Sequence, residues 1–527
     1  MNILDILHKN KQINQWQSGL NKSTRQLLLG LSGTSKSLVM ATAYDCLAEK
    51  IMIVTASQNE AEKLVADLTA IIGSENVYNF FTDDSPIAEF IFASKERIQS
   101  RIDSLNFLTD TTRSGIIVVS MAACRVLLPN PVTYKNAKIQ IEIGQEFEVD
   151  TLVKKLVNIG YKKVSRVLTQ GEFSQRGDIL DIFDMQADSP YRLEFFGDEI
   201  DGIRIFDVDS QKSLENLDKV IIAPASDILL SSEDYKRARQ KIQIAIEHSS
   251  IEDQQSYLRE VLADMQAEYR HPDLRKFLSF LYENSWTLLD YLPKSSPLFL
   301  DDFHKIADKQ AQFEKEVAEL LTDDLQNSKS VSSLQYFAST YSELRKYKPA
   351  TFFSSFQKGL GNVKFDALYQ FTQYPMQEFF HQIPLLKEEL TRYAKSKNTV
   401  IIQASSESSL HTLQKALQEY NIQLPSYPSD KLVEGQQQVT IGQFTAGFHL
   451  MDEKLVLITE KEIFNKKIKR KVRKTNISNA ERIKDYSELA VGDYVVHHVH
   501  GIGQYLGIET IEISGIHRDY LTVQYQN

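Results

Sequence analysis

Hydrophobic positions along the chain follow two rhythms. In the first, short apolar runs alternate with helically spaced segments. Residues 26–29 (QLLL) are apolar, the loop GLSGTSKS follows, and Leu38, Ala41, Ala43 and Leu47 then recur at helical spacing. IMIVTAS is a continuous apolar run, and NEAEKLVADLTAII repeats with a helical period. Run, glycine loop, helix and run predict a βαβ unit. IIVVSMAACRVLLP (116–129) predicts another buried strand and a helix start.

The second rhythm begins after Pro131. KIQIEIGQEF, DILDIFDM and YRLEFFGDEIDGIRIFD alternate with period 2 and are punctuated by Asp, Gly and Pro. This predicts an antiparallel, β-rich insertion over 137–225. Helical patterns return from Ser231 to about Leu289. PLFLDDFHKI (297–306) reads as a buried strand ending in acids, and helices continue to about Tyr347. NTVIIQASSESSLHTLQKALQEY and VTIGQFTAGFHLMDEKLVLITEKEIF predict a second α/β domain over 349–464. A basic run, NKKIKRKVRK, opens a linker over 465–485. The strand-rich, glycine-punctuated 486–527 reads as the opening of a small β-barrel.

Length and composition narrow the class. At about 100–200 residues per domain, 527 residues imply three to five domains. Only Cys46 and Cys124 are present, so a disulfide framework is excluded and a reducing cytoplasm is expected. The first residues lack the basic and apolar regions of a signal peptide. No apolar run reaches the roughly 18–20 residues that span a bilayer, so no membrane partner is expected. A net charge of −10 argues against a surface devoted wholly to nucleic acid, though not against a basic patch. The last residues, YLTVQYQN, stop inside a strand pattern, so a piece of a longer protein is expected.

The candidate chemistry starts at the loop. A phosphate-binding P-loop reads G-x-x-x-x-G-K-[ST], and Gly30, Lys36 and Ser37 match it. Ser35 stands at the second glycine, where its Cβ costs about 1–2 kcal/mol if a left-handed backbone is required. LFLDDFH fits a Walker B box, with Asp301, Asp302 and His304; Asp302 is one methylene shorter than the usual Glu. No Q-x-x-G-R-x-x-R box supplies the arginine that stabilises a transferring phosphate. The expectation is a loop shape kept without turnover, with no catalytic residue in this chain.

Two other groups invite chemistry. His497, His498 and His500 lack the convergent Cys or carboxylate partners of a zinc site, so no metal is expected. The basic run is either a solvated linker or a sequence-blind contact to DNA phosphates. In the β-rich insertion, Arg176, Arg192 and Phe196 stand out, with Arg192, Glu194 and Phe196 on one strand face. Arginine beside an exposed aromatic suits a protein-binding hot spot. The alternative is an ordinary strand face, with the arginines solvated and Phe196 in the core.

GEFSQRGDILDIFDM and PYRLEFFGDEIDGIRIFDVDSQKS closely resemble the UvrA-binding domain shared by the repair helicase UvrB and the transcription-repair coupling factors. AVGDYVVHHVHGIGQYLGIETIEISGIHRDYL resembles the RNA polymerase-interacting domain of the coupling factors, which UvrB lacks, and TAGFHLMDEKLVLITEKEIF resembles the segment before it. The resemblance covers nearly the whole chain. It implies an α/β multidomain fold. A degenerate RecA/helicase-like, UvrB-homology lobe (1–136 and 226–348) is interrupted by the UvrA-binding insertion. A second α/β domain follows, and a small CarD/Tudor-like barrel, cut short at 527, ends the chain.

The resemblance also implies function. It places UvrA contacts on Arg176, Arg192 and Phe196. Contact with the RNA polymerase β subunit falls on Glu509–Ile513, with Ile511 as the apolar residue. ATP, Mg²⁺ and most double-stranded DNA binding belong to a motor beyond residue 527. The implied role is the adaptor half of a translocase in transcription-coupled nucleotide excision repair. The competing reading is an active, UvrB-type ATP-dependent helicase.

Overall fold

The structure is a computed structural model, describing residues 1–91, 95–268, 271–356, 362–465, 494–497, 501–513 and 516–524. It divides into two units, Met1–Lys469 and Arg470–Asn527.

The first unit is built around a seven-stranded, wholly parallel sheet. Its strands are β1 (Arg25–Leu29), β2 (Lys50–Thr55), β3 (Val77–Phe80) and β4 (Gly115–Ser120). An insertion then contributes β5 (Ile139–Glu142), β6 (Lys162–Lys163), β7 (Glu172–Arg176), β8 (Ile179–Ile182), β9 (Tyr191–Phe196), β10 (Glu199–Phe206), β11 (Ser213–Leu217) and β12 (Lys219–Ile222). The parallel sheet resumes with β13 (Leu298–Asp301), β14 (Ala350–Ser354) and β15 (Ala367–Gln370), giving the order β15-β1-β14-β13-β2-β4-β3. Strands β2, β4, β13 and β14 are buried along their whole length. That is why they read as unbroken apolar runs: helices cover both faces of such a sheet. Successive residues feed opposite cores. Met52, Val54, Ile117 and Val119 point into one cluster, and Ile51, Ile53, Ile116 and Val118 into the other.

The insertion forms a six-stranded sheet, β11-β10-β9-β8-β7-β6, antiparallel except for β6 with β7. Its entry and exit strands, β5 and β12, pair with each other. The end of the insertion is fixed to the lobe by a buried ion network. Arg101, fully buried, donates to Glu89 and to Asp227, which also accepts from Arg275. The two guanidiniums outweigh the burial of Asp227 and hold its carboxyl well below the usual range. Removing one partner from such a network leaves an uncompensated buried charge.

A second, five-stranded sheet follows, with β16 (Gln373–Pro375), β17 (Thr399–Ala404), β18 (Gln437–Ile441), β19 (Phe448–Leu450) and β20 (Leu455–Thr459) in the order β16-β19-β20-β17-β18. β17 runs parallel to β18 and β20, and β19 antiparallel to β16 and β20. Phe444, Phe448, Leu450 and Leu457 join the core that also holds Leu38 and Val39 of the helix Thr34–Leu47. The two sheets of this unit therefore share a hydrophobic core.

In the second unit, β21 (Tyr494–His497), β22 (Gly501–Ile513) and β23 (Ile516–Gln524) form an antiparallel three-stranded sheet. Among the described residues this is a sheet; its closure into the expected barrel is not seen in them.

Candidate functional site

The insertion sheet carries two matched turns. β7 and β8 are joined by Gly177-Asp178, flanked by the pair Arg176 and Ile179. β9 and β10 are joined by Gly197-Asp198, flanked by Phe196 and Glu199. Gly177 and Gly197 have φ of 57° and 63°, while neither aspartate has positive φ. Glycine at the first central position is what a two-residue II′ hairpin demands. Ile179 pairs with Glu194, so the start of β8 lies beside the end of β9. Both turns therefore leave the same end of the sheet, and the register puts Arg176 and Phe196 on one face, on strands separated by β8.

The alternation along β9 decides which side chains are available. Leu193 and Phe195 are buried in the core, and Arg192, Glu194 and Phe196 take the other face. Phe196 is 82% exposed. The core placement considered above for Phe196 is therefore wrong, because the strand's parity turns it to solvent. The Arg176 side chain is 53% exposed and that of Arg192 17%. Beneath them lies Asp181, buried to 1%. Arg192 Nε donates to Asp181 Oδ1 at 2.7 Å and its Nη2 to Oδ2 at 2.9 Å, a two-pronged pairing. Nη2 also donates to Gln211 Oε1 at 3.2 Å, and the guanidinium stacks 4.3 Å from the Phe206 ring centre. Hydrogen bonding to Asp181 holds the Arg192 guanidinium above its ordinary pKa. Arg176 Nη2 reaches the same carboxylate at 3.3 Å. On the same face, Arg204 donates to Glu194 at 2.9 Å. The sequence reading missed Asp181 and the pairing of turns. The signal was available as R-G-D-I and F-G-D-E, two identical Gly-Asp pairs inside alternating runs.

The glycine loop is built differently. Gly30 has φ of 87°, and a Cβ there would lie 2.1 Å from the Phe371 carbonyl oxygen, so glycine is required. Ser35 lies in the first turn of the helix Thr34–Leu47, without positive φ. The backbone strain expected for Ser35 is absent because the helix begins one residue before it. Ser35 Oγ lies 2.9 Å from Ser32 O and 2.5 Å from Gln373 Oε1, two acceptors within reach of its single proton. The Gln373 carbonyl also accepts the Ser32 backbone N–H at 2.9 Å, and its amide donates back to Ser32 O and Oγ. Lys36 and Asp301 form an ion pair with each other. Ser37 Oγ donates to Asp67 Oδ2 at 3.1 Å, and Asp67 Oδ1 accepts the Thr445 N–H at 2.9 Å. Burial pushes the Asp67 carboxyl above its ordinary pKa, against those hydrogen bonds. Lys36, Ser37 and the Ser32 N–H of the loop are thus engaged by the chain itself, the last of them by Gln373 of the second α/β domain. Asp302 sits at the helix start with φ of 59° and pairs with Lys305 at 3.3 Å, while His304 pairs with Asp308 at 3.1 Å.

The other candidates are quickly placed. Ile511 lies in β22 opposite Arg518. His497 ends β21, whereas His498, His500 and residues 466–474 of the basic run lie outside the described residues. Among the described residues no cluster of His, Cys, Asp or Glu could hold a metal, and no helix is long and apolar enough to cross a membrane.

Comparison with known proteins gives matches in three segments. Residues 139–227 match the family model of the UvrB interaction domain, 393–463 that of the MFD D3 domain, and 489–527 that of the CarD-like/TRCF RID domain. The transcription-repair-coupling factor of Bacillus subtilis (strain 168) is 34% identical over 544 residues, covering 100% of this chain and 46% of the relative. That of Staphylococcus aureus (strain MRSA252) is 30% identical over 536 residues, with the same coverage. From end to end this chain is homologous to the transcription-repair-coupling factors, of which it spans about half the length.

Proposed function

We propose that the chain is the adaptor part of a transcription-repair-coupling translocase, and that its insertion sheet recruits UvrA. The observation that carries this is Phe196, a large aromatic left in solvent at a turn on the sheet face that also carries Arg176 and Arg192, inside the segment that matches the UvrB interaction domain. An exposed aromatic on a sheet face that also carries arginines has the composition of an interface hot spot. The arginines supply charge-assisted hydrogen bonds and Phe196 an apolar anchor.

The terminal sheet, matched by the CarD-like/TRCF RID model, is read as the start of a small barrel that holds the RNA polymerase β subunit through Glu509–Ile513, with Ile511 as its apolar contact. The seven-stranded sheet is read as a RecA-like lobe that works as scaffold in the cytoplasm. ATP, Mg²⁺ and double-stranded DNA act at a motor outside this chain. An active UvrB-type helicase is disfavoured by a loop whose Lys36 and Ser37 already have partners.

Bridging is the test. Immobilised RNA polymerase should retain UvrA only when this chain is added. Separate binding of each partner without a ternary complex would sink the adaptor reading.

A further inference from the structure

Asp181 is an anomaly in its own strand. In ILDI, Leu180 and Ile182 are buried apolar residues, and Asp181 is just as buried on the opposite, outward face. A carboxylate taken out of water is costly unless it is paired and hydrogen-bonded. Here both oxygens are used, and Oδ2 accepts from two different arginines, Arg176 and Arg192. One buried negative charge therefore gathers two positive ones whose stems start on strands either side of it.

The arrangement leaves the arginines fixed but not exhausted. Arg192 has Nε and Nη2 engaged by Asp181 and Gln211, with Phe206 below the plane, and Nη1 takes no part in these bonds. Arg176 uses Nη2 toward Asp181 and is half exposed. A guanidinium held in place before contact loses less rotamer freedom on binding, which favours affinity. An arginine solvated at random would lack that advantage.

We propose that Asp181 is the positioning residue of the recruiting face: it aims Arg192 and Arg176, on the face that carries Phe196, at an acidic or carbonyl-rich surface of UvrA. This rests on the UvrA reading above and assigns the geometry to a residue that does not itself touch the partner. A purely structural role for Asp181 would harm binding whether or not the arginines are present. A positioning role disappears with the arginine it positions.

The test is a double-mutant cycle read by calorimetric titration with UvrA. Asp181→Asn keeps the shape and should weaken binding about tenfold alone, yet less than about threefold in an Arg192→Ala background. Gln211→Ala loosens the same guanidinium from a loop, without touching the sheet, and should weaken binding about threefold, again only when Arg192 is present. If Asp181→Asn does not fold, this second cycle decides. Equal losses in both backgrounds, or no loss, would overturn the positioning role while leaving UvrA recruitment standing. No binding by the unsubstituted chain would remove the recruitment reading and this inference with it.

Discussion

The Gly30 loop and the paired Gly-Asp turns are both glycine-shaped, cation-bearing sites, and they differ in what their side chains still have to offer. At the loop the motif's Lys36 and Ser37 survive, but each has found a partner within the chain. Lys36 pairs with Asp301, Ser37 with Asp67, and the Ser32 N–H with Gln373. At the turns, internal bonds stop halfway. Arg192 is held by Asp181 but Phe196 touches water and Arg176 is half exposed. Retained motif residues therefore do not by themselves make a binding site. A hydrogen-bond donor already satisfied inside the protein gains little from a ligand, because one bond is exchanged for another.

The comparison can be broken from either side. The largest expected effect is on the loop. Lys36→Ala leaves the Asp301 carboxylate without its cation and should destabilise the unit by about 3 kcal/mol, read by denaturant unfolding. ATP affinity should be undetectable in parent and variant alike; a parent that binds ATP through Lys36 would break the comparison. On the turns, Phe196→Ala should weaken UvrA binding about 30-fold, or about 2 kcal/mol, with an unchanged Tm, since the ring is exposed.

A smaller effect sharpens the cause. Ser35→Gly restores the P-loop consensus but removes the hydrogen bond donated by the Ser35 hydroxyl and weakens a helix start. It should cost about 1–2 kcal/mol of stability and confer no ATP binding. Acquired binding would show that the missing glycine, and not the internal partners, closes the loop.

The smallest effect concerns pH. Burial raises the Asp67 pKa, so the folded state holds that proton more tightly than the unfolded chain. This group's contribution is favourable below the unfolded value of about 3.9 and is lost as pH rises through the folded pKa. Asp67→Asn should therefore flatten the fall in stability with rising pH above about pH 4, measured as the difference in Tm between parent and variant. An unaltered pH profile would mean that Asp67 is not buried against Ser37 and Thr445.

Much of this layout is legible in sequence because burial writes itself locally. IMIVT and IIVVS are continuous runs because both faces of β2 and β4 are covered. The alternation in YRLEFF gives the face that carries Arg192 and Phe196. Sequence spacing left two fates open for Phe196, since parity separates the faces of a strand without saying which one meets the core. The partners that close the loop were illegible for another reason. Gln373 and Thr445 are 338 and 378 residues from the groups they meet, Ser35 and Asp67, and no local period encodes such contacts. Asp181 was hidden by type: one acid in an alternating strand looks like an ordinary solvent-facing residue until its burial is known.

The central claim, that the open turns and not the closed loop are where this chain meets its partner, is tested most directly by calorimetric titration of UvrA into the chain and into an Arg176→Ala/Arg192→Ala/Phe196→Ala variant. The account predicts binding by the first and loss of at least about 100-fold in affinity by the second, with both proteins equally folded. Equal affinity for the two would contradict it and move the partner's site away from the turns.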